Sequence, residues 1–383
     1  MLSGKLLGLV KYIYLLLIIS IVATIICFDY IDVPYKKQHF IPNWAVILII
    51  AIVSILILTA AILISRKHPV LFDRIIIFIN NNYVIILGSA SIIVFLIQLI
   101  ISWNFYFKTG WDVGFLTSYA MSMQKSASIH DYFSTNPNNL FLSFLFSIII
   151  KLANIIGIDP YFGLIIFGNF LVNISSVLTS LIIFEYTKNK ILGILSLCIF
   201  IQWIALSPWI VIPYSETYGV IFPIISLYLY IKEKLIGSNN YFRVFMIGLT
   251  ATLGYLIKPT TIIVFIAIII AEIFELFSRT DSNRKGVIIN IVIILLSISA
   301  ILFLHSNLKA GFGIDEEKSL GPFHYVMMGL NAESSGGYSK EDKLFSMSFG
   351  TKEERKKGNI SVIKQRIENY GLDGLVKHFI RKA

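Results

Sequence analysis

The chain has 383 residues, of which 56% are hydrophobic and only 14% are charged, and its net charge is +10. Soluble domains carry roughly 25% charged residues, so this composition excludes a water-exposed globular surface and implies a polytopic, all-α membrane protein. Lys and Arg fall between apolar runs rather than along one face, which excludes nucleic acid as a partner and points to membrane lipids and positive-inside topology. The two cysteines, Cys27 and Cys198, lie inside apolar segments, an arrangement that argues against a disulfide or a thiolate metal site.

A membrane span needs about 20 apolar residues. The first candidate covers 12–28 and lacks a signal-peptide cleavage site, so it reads as a retained span. A short polar loop leads to a second span at 44–65, and "RKHPVLFDR" then gathers Arg66, Lys67, His68 and Arg74 as a cytoplasmic marker. A third span ends near 102, which places the next stretch outside the cytoplasm. Residues 103–139 form a polar, aromatic outer loop expected to hold one or two short surface helices. Apolar runs follow at 140–156, 161–184, 191–212, 218–231, 243–257, 260–277 and 287–304. The expected organisation is 1–74 as two N-terminal spans, 75–304 as a membrane core and 305–383 as a polar extracytoplasmic segment.

Two ways of counting the spans disagree. The C-terminal half puts the basic "TKNK" loop (187–190) in the cytoplasm, whereas a full crossing by 140–156 puts it outside. Either that run does not cross, or the loop breaks the charge rule.

Four stretches interrupt the apolar pattern. In "FKTGWDVGFLTSYA", Asp112 lies between Trp111 and Val113, with Gly110 and Gly114 expected to let backbone approach closely. A solvated carboxylate and a general base or metal ligand both fit it. In "HDYFSTNPNNL", a capped helix start competes with a cavity wall in which His130, Asp131, Asn138 and Asn139 bind sugar hydroxyls or a divalent cation. In "SPWIVIPYSETYG", Glu216 lies near membrane depth, where a lone acid needs a partner or an aqueous cavity. In "GYLIKPTTIIV", Lys258 breaks a long apolar stretch, and Thr260 and Thr261 offer donors where the next helix starts, a place that favours an anion. A snorkelling lysine fits that stretch equally well. The island "FHYVMMGLN", with His324, reads as a buried packing element. No Walker loop or dinucleotide-binding glycine fingerprint occurs.

These pieces, in this order, resemble the GT-C superfamily of membrane glycosyltransferases, above all its protein O-mannosyltransferase-like and GPI-mannosyltransferase-like groups, over roughly 75–305. "TGWDVGF" is similar to the first outer loop with its essential acid. "NPNNL" is similar to the proline-containing start of the next helix, "PYSET" to the Tyr-Ser-Glu element and "GYLIKPT" to the lysine-containing break. The paired acidic dipeptide of the first loop is absent, since Val113 follows Asp112.

The resemblance implies a GT-C-like helical bundle that moves a hexose from a polyprenyl-phosphate donor to an extracytoplasmic acceptor: a cell-surface glycan, a teichoic acid-type polymer or a protein. Asp112 and Glu216 would be catalytic, and Lys258 and Thr260 would hold the lipid phosphate. Trp111, Tyr214, Asn138, Asn139 and His130 would bind sugar or acceptor. A divalent cation, Mg or Mn, could sit on Asp112, Glu216 and Asp131. A lipid-linked-sugar flippase or transporter and a non-catalytic accessory subunit are the alternatives. No residue pattern points to a particular sugar, acceptor or oligomeric state.

The C-terminal segment reads as the truncated start of a longer outer region. Val362, Ile363, Ile367, Leu372, Leu375 and Val376 have the spacing of helices lying on a membrane surface. Residues after about Ser334 are expected to be poorly ordered or weakly packed.

Overall fold

The computed structural model describes residues 66–122, 126–236, 240–278 and 281–382, together with Ile52, Leu56, Thr59 and Leu63. The expected span at 12–28 and most of that at 44–65 lie outside the described residues. Among the described residues the chain is helical, with no strand. Asp73–Ile314 forms one compact unit, and Asp315–Ala383 belongs to the other.

The first unit is built on α1 (Pro69–Phe105), which starts on a proline at a position where no N–H is needed and is kinked at Asn82. Three elements follow at its far end: α2 (Trp111–Ser122), α3 (Ala127–Thr135) and a 3-10 turn, Pro137–Asn139. Next come α4 (Leu140–Ile156), α5 (Pro160–Thr187) and α6 (Lys190–Phe200), the last continuing as a π-helical turn, Ile201–Ala205. A 3-10 turn (Pro208–Val211) and the short α7 (Ser215–Gly219) lead to α8 (Ile221–Ile236) and α9 (Tyr241–Ile257). Another 3-10 turn (Pro259–Thr261) precedes α10 (Ile262–Ser278) and α11 (Asp281–Phe312). Side-chain caps fix several of these starts. Asp159 accepts from Phe162 N at 2.8 Å, Asn189 from Ile191 N at 2.9 Å and Asn240 from Arg243 N at 3.0 Å.

A buried polar seam sets the direction of the helices. Tyr83 on α1 meets Ser180 on α5 at 2.8 Å, Gln98 meets Asn173, Ser102 meets Asn169 at 3.1 Å, and Phe107 O accepts from Tyr161 at 3.0 Å. As α1 advances its α5 partners fall in number, so the two helices are antiparallel. In hydrocarbon such groups must find protein partners, and this seam supplies them. Helix α6 runs with α1: Lys190 Nζ donates to Asn80 O at 2.6 Å, and Gln98 Nε2 donates to Ala205 O at 2.6 Å. That carbonyl belongs to the π-helical turn, where the regular ladder is interrupted.

Ion pairs collect at one end of the bundle: Lys232 with Glu185, Lys234 with Glu272 at 2.6 Å, and Arg243 with Glu233 at 2.8 Å. At the crossing of α9 and α11, a Cβ on Gly248 would lie 1.9 Å from Ser297 Oγ, so only glycine allows that approach. The opposite end carries the 107–139 segment, the 205–219 segment, the α9–α10 junction and the end of α11.

Length and apolar character qualify five described helices as spans, Pro137–Ile156 among them. The tethers of α4 overrule that for this helix. At its start Ser143 donates to Leu116 O on α2 at 2.7 Å. At its finish Ala153 abuts Gly163, two residues from the Tyr161–Phe107 contact. Both ends of α4 therefore lie at the end opposite the ion pairs, so the run 140–156 does not cross. The Lys190–Asn80 contact puts the "TKNK" loop at the same end as the start of α1, which resolves the conflict between the two counts. Leu140, Leu142 and Phe146 of α4 pack with Phe133 and Tyr218 in a core that is essentially closed to solvent.

The membrane unit also extends further than expected, because α11 stays helical past His305 to Phe312. The second unit contains α12 (Gly321–Gly329), α13 (Lys340–Met347) and α14 (Lys352–Lys382), the last kinked at Gly371. The expectation of weak packing after Ser334 is not met. Arg355 is only 4% exposed and donates to four carbonyls, those of Ser346, Glu317, Ser319 and Phe349. Arg366 forms a two-pronged pair with Asp342, which also accepts from Asn331 at 3.0 Å. His324 is buried and bonds Ser346 at 2.8 Å, as a packing element should.

Candidate functional site

Asp112 stands in the first turn of α2, where the helix dipole favours an acid. The backbone before it is strained. Trp111 has φ 49°, a left-handed conformation that a bulky side chain rarely adopts, and it is 83% exposed. Gly110 has open space where a Cβ would be, so the expected close backbone approach there does not occur. The strain falls on Trp111 instead. Strained backbone of this kind concentrates at functional positions.

The charge of Asp112 acts on the hydroxyl of Tyr132 on α3. Asn139 Nδ2 donates to the same hydroxyl at 2.6 Å, and Asn138 Nδ2 donates to Asn139 Oδ1 at 2.9 Å. The Tyr132 ring lies flat on Phe115, with centroids 4.4 Å apart and planes 5° from parallel. Burial, and after it the charge of Asp112, push the Tyr132 phenol far above its ordinary value, so it stays protonated as a donor.

Two further segments converge on this acid. Tyr214 precedes α7 and stacks on Trp209 at 6.3 Å. Its phenol is raised by burial and then by the charges of Asp112 and Glu216, so both acids act on it. Glu216 accepts from Ser215 Oγ at 2.9 Å through one oxygen and pairs with Lys258 through the other. The Lys258 ammonium also lies over the Tyr214 ring, 5.7 Å from its centroid. Lys258 closes α9, and Gly219 packs against it so closely that a Cβ there would come within 3.1 Å of its own Cβ. Asp112, Asn139, Tyr214, Glu216 and Lys258 are thus joined by direct contact or by their fields, although they come from separate segments.

Other expected residues go elsewhere. His130 bonds Gly313 O at 2.6 Å and stacks on Phe312, which ties α3 to the end of α11. Asp131 and Thr260 are exposed on their own turns. Asp112, Glu216 and Asp131 do not make a metal site: no group of three or more His, Cys, Asp or Glu side chains suited to a metal exists among the described residues. One Glu216 oxygen is paired with Lys258. Tyr132 was missed by sequence reasoning. Its signal was weak, being one aromatic in an aromatic-rich loop.

Long apolar helices, joined through buried polar contacts, define an integral membrane protein of the all-α class. The chain belongs to the family described as conserved hypothetical integral membrane protein, whose model matches residues 5–383. No curated protein and no solved structure matches the chain.

Proposed function

We propose that the protein is a glycosyltransferase that takes a hexose from a polyprenyl-phosphate donor and passes it to an acceptor outside the cytoplasm. The observation that carries this reading is the convergence of an acid (Asp112), a lysine at a helix break (Lys258) and a Tyr–Glu pair (Tyr214, Glu216) at one end of a membrane bundle. Orientation follows from charge. Lys188, Lys190, Lys232, Lys234 and Arg243 lie at the opposite end, which the positive-inside rule assigns to the cytoplasm. Exposed Trp103, Trp111 and Trp209 lie at the site's end, as in an interfacial aromatic belt.

In this mechanism Asp112 takes the proton of an acceptor hydroxyl as its oxygen attacks the anomeric carbon. The bond from that carbon to the phosphate oxygen breaks, and the lipid phosphate leaves with the electron pair. Lys258 neutralises the charge that develops on it, stabilisation of the oxyanion type. A single displacement inverts the anomeric configuration. Tyr214 and Trp209 offer an aromatic platform for the sugar or acceptor.

The test compares surface glycans by mass spectrometry in cells with the gene, without it, and with the Asp112→Asn variant. Loss of a general base lowers transfer by about 10²-fold or more. A variant that restores the wild-type glycan at normal expression would rule the base out.

A further inference from the structure

We infer that Tyr214 is the positioning residue of Lys258, its ring keeping the ammonium in place when a donor phosphate takes it from Glu216. The inference rests on the lipid-phosphate role proposed above for Lys258 and adds a residue to it. At the α9–α10 junction the backbone of Lys258 is fixed. Its N–H donates to Gly254 O at 2.8 Å, and its carbonyl accepts from Thr261 N at 3.0 Å and from Thr261 Oγ1 at 2.9 Å. Gly219 packs against the start of the side chain. Beyond that point lies a flexible stem, and two residues of one segment hold its far end. The ammonium pairs with the Glu216 carboxylate and lies over the Tyr214 ring, 5.7 Å from its centroid and so within the range of a cation–π contact.

The two contacts differ in how they meet a phosphate. Carboxylate and phosphate are both anions that draw on the same three N–H donors, so one displaces the other. A ring face attracts the cation through its quadrupole and leaves the charge in place, so it holds the ammonium while phosphate is bound. The ring is itself braced. Tyr214 stacks on Trp209 with planes 22° from parallel, and its carbonyl accepts from Tyr218 N at 3.3 Å and from Thr217 Oγ1 at 2.8 Å at the start of α7. A lysine already held by such a ring loses less freedom when the ligand arrives, and that difference appears as affinity.

Full-length protein in lipid nanodiscs is titrated calorimetrically with farnesyl phosphate, which carries no sugar, so the platform role of the same ring does not enter. Tyr214→Phe keeps the ring face and should bind within about twofold of wild type. Tyr214→Leu removes it and should bind about threefold more weakly, the scale of a solvent-accessible cation–π contact. Tyr214→Trp, which offers the strongest ring face, should bind at least as tightly as wild type. In a Lys258→Ala background Tyr214→Leu should cost nothing further, because the ring acts through that ammonium.

Wild-type affinity in Tyr214→Leu, with Lys258→Ala weakened, overturns the inference and leaves the role of the lysine standing. Equal losses in the Phe, Trp and Leu variants overturn it as well, since the ring face would then not matter. So does a Tyr214→Leu loss that persists without Lys258, because Tyr214 would then act on the ligand or on the fold. Wild-type affinity in Lys258→Ala removes the phosphate role itself, and the positioning role falls with it.

Discussion

Glu216→Gln tests whether the donor phosphate and Glu216 compete for Lys258. In the structure the ammonium is paired with Glu216, and the two side chains are 30% and 48% exposed respectively. At such exposure solvent screens the pair, which limits its worth to about 1 kcal/mol or less. That energy corresponds to about fivefold in a binding constant. A lipid phosphate that uses Lys258 must displace the carboxylate, whereas a neutral amide competes far less. Glu216→Gln should therefore bind farnesyl phosphate up to about fivefold more tightly, with the gain shrinking as salt is raised. Lys258→Ala should lose most of the binding, and Lys258→Arg should recover part of it. Titration of the full-length protein in lipid nanodiscs with farnesyl phosphate, followed calorimetrically, measures all three. Weaker binding by Glu216→Gln would show that the carboxylate helps hold the donor, and the competition argument would then be wrong.

Two further expectations concern the framework. Once Cys27 and Cys198 are replaced, cysteines introduced at Lys151 and Asn154, both exposed on α4, should react with an impermeant maleimide from the same side as one at Lys108. A cysteine at Lys188 should react from the other side, and labelling of the α4 sites from that side would mean that the helix crosses after all. In the second unit, burial alone would raise the Asp342 carboxyl, but the hydrogen bonds of Arg366 and Asn331 outweigh it and hold it below its ordinary value, while burial pushes the His324 imidazole down. Both groups bind fewer protons folded than unfolded, so their stabilisation is present above the ordinary imidazole value of about 6.5 and is lost as pH falls, first through the histidine and then through the carboxylate. Hydrogen exchange across α12–α14 of the full-length protein, corrected for intrinsic rate, should show protection falling from pH 7.5 towards 4.5, and flat protection would contradict the argument.

The crossing helices were legible because a run of apolar residues is a local property. The path of α4 was not. Its sequence satisfies the length and composition of a span, and what decides its course is where its two ends are tied, to Leu116 and beside Phe107. The same holds for the buried seam. Gln98, Asn169 and Asn173 stand out as polar residues in apolar runs, yet nothing in their spacing says that they meet. The C-terminal unit misled in the opposite direction, since its order comes from buried Arg355 and from the Asp342–Arg366 pair, residue types that ordinarily signal a solvated surface.

The candidate site divides in the same way. Asp112, Glu216 and Lys258 were visible because charge near apolar sequence is costly and so marks itself. Side-chain direction carries no such mark. His130 and Tyr132 are two positions apart on α3, which turns them about 200° from one another at 3.6 residues per turn. A helix that turns one of them towards α2 must turn the other away, and the structure sends His130 to Gly313 and lays Tyr132 on Phe115. The sequence singled out His130 as a residue to bind sugar or acceptor, whereas the aromatic floor of Phe115 and Phe133 selects the tyrosine. Which residue of an aromatic-rich loop faces α2 is thus decided by what can pack beneath it, and that packing depends on α2 and α3 lying together.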